Sequence, residues 1–158
     1  VHNRERYIGA AIESVLAQSF TDFELLVVDD ASTDDTAPIV RGFNDPRIRL
    51  VSNETNLGTP RTRNRGNELA RGEYLANLDS DDLMRPERLS RQVAYLDADP
   101  TCALVGCDKI PIDSSGHRRW KLRTRPTDPE TVRARLLFRC CITHTSIMAR
   151  RDLLRVHR

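Results

Sequence analysis

The chain has 158 residues, of which 39% are hydrophobic and 30% are charged. This balance excludes a disordered chain and is typical of one globular domain with a core of its own. A formal net charge of +2 gives no bulk electrostatic reason to expect nucleic acid as a partner. No apolar run approaches the ~20 residues of a membrane span, and no signal peptide is visible. We therefore expect a single cytoplasmic domain over residues 1–158, and peripheral association with the inner face of the membrane stays open.

The cysteines give a second indication of compartment. Cys102, Cys107, Cys140 and Cys141 lack the spacing of a zinc site. We interpret them as reduced, mostly buried thiols, which fits a cytoplasmic protein.

Apolar periodicity predicts alternating helices and strands along the chain. Start and stop signals at helix ends and at turns set the boundaries. In chain order we predict a helix at 7–16, a strand at 23–28, a helix at 36–43, a strand at 48–51, a helix at 61–70, a strand at 74–78 and a helix at 86–97. Further along we predict a buried strand at 102–107, a hairpin beginning at 110, a helix at 129–138, a strand at 142–148 and a final helix at 151–156. This order predicts an α/β domain with a mixed, mostly parallel sheet and helices on both faces.

Two of the predicted strands end in clustered carboxylates. Asp29 and Asp30 follow the strand at 23–28, and Asp79, Asp81 and Asp82 follow the strand at 74–78. Ligands of open α/β sheets bind outside the carboxyl ends of the strands, so we expect both groups to face one crevice. Carboxylates this close repel one another unless a cation lies among them. Oxygen-only ligands suit Mg²⁺ or Mn²⁺, which bind one or two carboxylates together with water and substrate phosphates.

Two other interpretations of the acids stay open at this point. A solvated acidic turn before a helix needs no ligand at all. A receiver-like signalling domain also uses an acid pair, a phosphoacceptor Asp, Mg²⁺ and a lysine, and Lys109 follows the next predicted strand.

The ordered set of motifs resembles family 2 glycosyltransferases of the GT-A fold. The matching stretches are residues 3–8, 14–20, 23–34, 56–58, 63–64, 72–74 and 78–82. The resemblance implies a three-layer, Rossmann-like nucleotide-diphospho-sugar transferase domain. It also implies that the first strand, an interior strand of the sheet in this family, is largely missing here, with only Val1 and His2 remaining of it.

This resemblance implies transfer of a sugar from a nucleotide-diphosphate sugar, with a UDP-sugar expected, to an acceptor hydroxyl with inversion. The acceptor would be a saccharide, a lipid-linked molecule or a protein, in polysaccharide or cell-envelope biosynthesis. The implied nucleotide-sugar-binding residues are His2, Asp29, Asp30, Arg63, Asp79 and Ser80, with His2 at a position where the family often has Tyr. The implied ligands of Mn²⁺ or Mg²⁺ are Asp79, Asp81 and Asp82, with Asp81 matching the second acid of the Asp-x-Asp motif.

The general base is where the chain departs from the family. Some members have an Asp at the position of Thr143, and in others the base is the Asp of a Glu-Asp pair that would lie beyond Arg158. His144 is a candidate within the chain, because its intrinsic pKa suits proton transfer. We therefore expect an incomplete or inactive fragment of a transferase, and a non-catalytic nucleotide-sugar-binding module is the third interpretation.

Overall fold

Helices and strands alternate through most of the chain in a computed structural model that describes residues 1–113, 115–119, 126–138 and 140–156. The elements are α1 (Ile8–Leu16), β1 (Leu25–Asp29), α2 (Thr36–Gly42), β2 (Ile48–Ser52), α3 (Thr59–Leu69), β3 (Tyr74–Ala76), α4 (Arg88–Ala98), β4 (Leu104–Val105), α5 (Pro129–Leu136), β5 (Met148–Arg150) and α6 (Arg151–Val156). A 3₁₀ turn at His144–Ser146 precedes β5.

Two helices follow their amphipathic pattern closely. In α1 the side chains of Ile8, Ala11, Ile12 and Val15 are buried, which is the face that three- and four-residue spacing produces. In α4 the same spacing buries Leu89 and Leu96 and brings the half-buried Val93 against the same core cluster. These helices supply the two apolar cores of the molecule.

The first sheet has two parallel strands with helices on both faces. β1 pairs with β2 in the register Leu25↔Ile48 through Asp29↔Ser52. Val27 packs into the core cluster of α1 and α2, whereas the next residue, Val28, points to the opposite face because successive side chains alternate. There it meets Gly66 of α3, where a methyl group would lie 3.4 Å from Val28 Cγ2. This is the three-layer arrangement that the sequence predicts.

The second sheet is antiparallel and has the order β3-β5-β4. β5 is the central strand, with Leu75 and Leu104 paired to Ala149 from its two sides. The parallel and antiparallel pairings together make the sheet structure mixed, as predicted.

A cavity of about 1420 Å³ separates the two sheets, and it is lined by residues 25–28 of β1 and by residues 74–78 in and after β3. Val1 lies at one end of it. The amino group of Val1 donates to Val28 O at 2.6 Å, and Asp30 N donates to Val1 O at 2.7 Å. This pattern is that of a parallel strand placed next to Asp29 of β1.

Several predicted boundaries were wrong for local reasons. The strand predicted at 142–148 is mostly a turn, because the Ser146 hydroxyl and N–H both donate to Thr143 O, at 2.7 and 2.9 Å, and this local bonding competes with strand pairing. The strand predicted at 74–78 ends at Ala76.

The region around the first two cysteines also differs from the prediction. The strand at 102–107 is reduced to Leu104–Val105 at the edge of the sheet, where Leu104 is exposed. The four cysteines carry reduced thiols, as expected, but they are half-buried or exposed rather than mostly buried. The hairpin beginning at 110 is represented by one bridge, Ile112↔Arg118, which pairs it with the start of its predicted return at 118–121. Residues 120 and 121 of that return lie outside the described residues. In the part of the chain that the structure describes, no helix has the length and apolarity needed to cross a bilayer.

Candidate functional site

The acid pair after β1 is buried. Asp29 is the last residue of β1 and pairs with Ser52. Asp29 and Asp30 are each only 4% exposed. Asp29 Oδ1 accepts a hydrogen bond from Ser32 N at 3.2 Å, which turns the chain toward α2. The strand end therefore carries two buried carboxyl groups whose hydration the protein itself must replace.

Asp30 obtains that solvation from a loop and a neighbouring strand end. Its Oδ1 accepts from Asn53 Nδ2 at 2.6 Å and from Leu57 N at 2.9 Å, and its Oδ2 accepts from Gly58 N at 2.9 Å. Burial would raise the pKa of Asp30, but these bonds and one from Thr62 outweigh it and lower the pKa to about 2. Most of the acceptor capacity of this carboxylate is thus directed to the protein.

His2 lies against the same strand end. Its Nδ1 is 2.9 Å from the backbone O of Asp30. A carbonyl oxygen only accepts hydrogen bonds, so Nδ1 carries the proton, and a neutral His2 then has Nε2 as an acceptor. The adjacent Asn3 has φ 51° and exchanges hydrogen bonds with the loop after β1, donating to Ser32 Oγ and accepting from Thr33 N.

The second acidic group forms a turn after β3. Asn77 N donates to Ile147 O at 3.0 Å, so β5 supports the chain up to this point. The turn is closed by Asp82 N, which donates to Asp79 O at 3.0 Å. The side chain of Asp79 is 47% exposed and Asp81 is exposed, so these two carboxylates are accessible to a ligand.

Arg63 connects the turn to α3. Its Nη2 lies 3.4 Å from Asp79 Oδ1, and both side chains remain partly exposed. Arg63 and the acidic turn therefore face one another across the same space.

That space is the cavity between the two sheets. Six of the candidate residues line it, namely His2, Asp30, Arg63, Asp79, Ser80 and Asp81. Three other candidates, Asp29, Asp82 and His144, are described by the structure but do not line the cavity. Lys109 is exposed and also lies outside the lining, so this cavity does not bring the lysine of the receiver interpretation together with Asp30 and Asp79.

His144 lies in the 3₁₀ turn before β5, close enough to Arg63 and Asp79 to feel both charges. Partial burial lowers the pKa of His144 below its ordinary value, Arg63 lowers it further, and Asp79 opposes the shift. The imidazole is therefore neutral at pH 7 and is able to accept a proton.

A divalent cation fits the acidic turn by the chemistry of its donors. Asp79 and Asp81 both line the cavity, and carboxylate oxygen is the kind of ligand that Mg²⁺ and Mn²⁺ prefer. Within residues 1–113, 115–119, 126–138 and 140–156, no group of three or more His, Cys, Asp or Glu side chains converges on a metal position. The site thus fits a cation held by one or two carboxylates and completed by water and phosphate oxygens.

Sequence reasoning missed two residues of this site, Asn53 and Thr62. Both are buried, with exposures of 5% and 6%, and both contact Asp30. Asn53 comes directly after β2, so it is a polar residue at the carboxyl end of a strand, like Asp30. That position was the available signal.

Comparison with known proteins gives a consistent result. A family model described as glycosyl transferase family 2 matches residues 1–158. ExoO, the succinoglycan biosynthesis protein of Rhizobium meliloti (strain 1021), is 38% identical over 144 residues, which are 87% of this chain and 41% of ExoO.

Solved structures show the same similarity. The crystal structure of S. aureus TarS 1–349 has a TM-score of 0.77 at 29% identity, covering 99% of this chain and 46% of that chain. Mannosyltransferase PcManGT from Pyrobaculum calidifontis, solved in complex with GDP-Man and Mn²⁺, has a TM-score of 0.72 at 22% identity, covering 99% and 44%, which shows likeness of fold alone. The chain spans less than half the length of these three proteins.

Proposed function

Since the chain belongs to glycosyl transferase family 2, we propose that it acts in the transfer of a sugar from a nucleotide-diphosphate sugar to an acceptor hydroxyl. The observation that carries this proposal is the cavity shared by Asp30, Arg63 and the turn at Asp79–Asp81. A donor of this kind has a diphosphate between a base and a sugar, and the cavity offers a cationic side chain and carboxylates for a metal ion at its phosphates.

The residues at the acidic turn act on the leaving group. Cleavage of the bond between the anomeric carbon and the diphosphate builds negative charge on the diphosphate. A divalent cation, Mn²⁺ or Mg²⁺, held by Asp79 and Asp81 would neutralise that charge. Arg63 binds the phosphates as a fork of N–H donors, and its present partner Asp79 keeps it aimed at the turn.

The base half of the donor would lie toward β1. His2 and Asp30 line that part of the cavity, and the Nε2 acceptor of His2 suits a base that offers an N–H group. We propose a UDP-sugar as the donor because uracil has such a group, and GDP, whose guanine also has one, is the comparison in the test below. We propose that Asp29 and Asp82 support the site without contacting the donor. Asp29 accepts a hydrogen bond from Ser32 N after β1, and Asp82 N donates to Asp79 O in the acidic turn.

The general base is proposed at two positions. His144 is neutral at pH 7 and close to Asp79, and a carboxylate from chain beyond residue 158 is the other position.

For the acceptor we propose a saccharide or lipid-linked molecule, with a protein acceptor as the alternative, because ExoO is a succinoglycan biosynthesis protein. Such a reaction would take place in the cytoplasm or at the inner face of the membrane.

The test is calorimetric titration of UDP and of GDP in the presence and absence of Mn²⁺. We expect the native chain to bind one of them with Mn²⁺, and Asp81→Asn to remove the metal-dependent part of that affinity. Asp35→Asn, which changes an exposed carboxylate before α2, is the matched control and should bind like the native chain. Unchanged affinity of Asp81→Asn in Mn²⁺ would contradict the proposal. Binding with neither hydrolysis nor transfer would favour the non-catalytic module.

A further inference from the structure

Asn53 uses both ends of its amide inside the protein. Its Nδ2 donates to Asp30 Oδ1 at 2.6 Å and to Thr62 Oγ1 at 3.0 Å, and its Oδ1 accepts from Arg65 Nη1. The residue is only 5% exposed, so these contacts replace its hydration. A buried amide that is satisfied at both ends defines one orientation of its partners.

Asn53 and its partners together link three elements. Asp30 follows β1, Asn53 follows β2, and Thr62 and Arg65 lie on α3. Through Asp30 the network also reaches the loop before α3, because Leu57 N and Gly58 N donate to the same carboxylate. Gly58 has φ 79° and is the residue from which α3 begins. The start of α3 is therefore held by Asp30 through the loop that precedes it and by Asn53 through Thr62 and Arg65.

Arg63 depends on this arrangement. It lies between Thr62 and Arg65 on α3 and reaches across the cavity to Asp79 Oδ1 at 3.4 Å. The side chains of this ion pair are 34% and 47% exposed, and such pairs contribute little to stability on their own. The buried bonds of Asn53 therefore contribute more than this ion pair to the placement of the part of α3 that carries Arg63.

We propose that Asn53 is a positioning residue of the donor site, which holds α3 so that Arg63 faces the acidic turn. This inference rests on the proposed function, since it assigns Asn53 a part in binding the same donor. Only an amide suits the position. It donates to a carboxylate and a hydroxyl while it accepts from Arg65. A carboxylate at position 53 would have no proton for Asp30, and an apolar residue would take one donor from Asp30 and one acceptor from Arg65.

A double-mutant cycle tests the link to Arg63. The affinity for UDP and for GDP with Mn²⁺ is measured for the native chain, Asn53→Ala, Arg63→Ala and the double variant. We expect each single change to cost about tenfold, which is the size of one lost charge-assisted hydrogen bond. The double variant should be little weaker than Arg63→Ala, because Asn53 acts through Arg63. Losses that simply multiply would overturn the proposal. Asn44→Ala, an exposed asparagine in the turn before β2, is the matched control and should bind as the native chain does.

Hydrogen exchange decides the loop part of the proposal without any ligand. Asn53→Ala should speed exchange of the Leu57 and Gly58 amides about tenfold while leaving β5 amides protected, and Asn53→Ser, which keeps one donor, should show a smaller effect. Asn53→Ser also serves if Asn53→Ala does not fold. Unchanged exchange at Leu57 and Gly58 would overturn the proposal whatever the nucleotide result. Faster exchange in a chain whose native form binds neither nucleotide would uphold the loop anchor and reject the proposed function instead.

Discussion

Asp30 remains charged although it is almost completely buried, because protein groups take the place of water around it. Two backbone N–H groups, from Leu57 and Gly58, and the amide of Asn53 donate to its carboxylate. A buried carboxylate without such donors would be strongly destabilising. The same bonds make the loop before α3 depend on the charge, so Asp30 shapes the cavity wall in addition to lining it.

The charge of Asp30 predicts an acid-dependent loss of stability. The folded-state pKa, about 2, lies below the ordinary value of 3.8, so the folded protein binds this proton less readily than the unfolded chain does. The stabilisation is therefore fully present above about pH 4 and is lost as the pH falls from about 4 to about 2. Urea unfolding of the native chain and of Asp30→Asn over this range should show a steeper decline for the native chain. Parallel curves would contradict the assigned pKa.

Asp45 provides a control of different character. Its pKa is also lowered to about 2, chiefly by the hydrogen bond from the Arg47 side chain, but this pair is more exposed to solvent than Asp30, with side chains 28% and 22% exposed. Salt screens surface charges far more than buried ones. Each variant is compared with the native chain for its loss of unfolding free energy as the pH falls from about 4 to about 2. The difference that Asp45→Asn makes should therefore become smaller in 0.5 M NaCl, while the difference that Asp30→Asn makes should persist.

At the level of elements, α4 connects the strands of the second sheet. Gln92 Nε2 donates to Ser146 O at 2.8 Å and to Val105 O at 3.3 Å, and Gln92 Oε1 accepts from Arg88 Nε at 3.0 Å. Arg88 Nη2 continues to Asn77 O at 2.9 Å, next to the acidic turn. One helix thus supports the residues before β5, the edge strand β4 and the end of β3.

Replacing Gln92 should weaken this connection. Gln92→Leu keeps the apolar contacts of a residue that is 3% exposed, but it removes the side-chain donor of two carbonyl oxygens and the acceptor of Arg88 Nε. Buried groups left unsatisfied cost about 1–3 kcal/mol, so we expect a loss of that size in the free energy of unfolding measured in urea. Arg91→Ala, one residue earlier on the same helix, removes only an exposed ion pair with Glu87 and should cost less than about 0.5 kcal/mol. Equal costs for the two variants would contradict the role of Gln92.

What the sequence could predict follows from how local each signal is. The buried faces of α1 and α4 were predictable because the spacing of apolar residues within a single helical segment determines which side is buried. The acids after β1 and β3 were predictable because each group directly follows an apolar run in the sequence. The partners of Asn53 were not, because Asp30 and Thr62 are brought to it by strand pairing and helix packing. The turn before β5 was also missed, since its segment has strand-forming residues and the Thr143–Ser146 bonds override that preference.

At the level of the whole molecule, side chains of helices connect the two sheets, whereas β1 and β3 do not pair with each other. α1 and α4 contribute to the core cluster that also includes Met148 of β5, while β1 and β3 face each other across the cavity. Val28 O and Asp30 N bond to Val1 on that side of β1. Because the bonding direction alternates along a strand, the backbone groups of Leu26 also face the cavity. This edge of β1 is therefore suited to a further parallel strand.

We predict that four added residues ahead of Val1, with the sequence Val-Ile-Val-Ile, stabilise the fold by continuing the pairing of Val1 beside residues 25–28. Helices cover both faces of β1, so a continuous apolar run fits this position. At mid-range values, burial of each such side chain contributes about 2.25 kcal/mol and ordering each residue costs about 1.5 kcal/mol, so four residues should add about 3 kcal/mol to the free energy of unfolding. The control extension, Ser-Gly-Ser-Gly, has the same length and should give no gain. Slower amide exchange at Leu26 and Val28 in the apolar extension would locate the effect at β1, whereas equal stability of the two extended chains would show that the cavity between the sheets does not accept a strand.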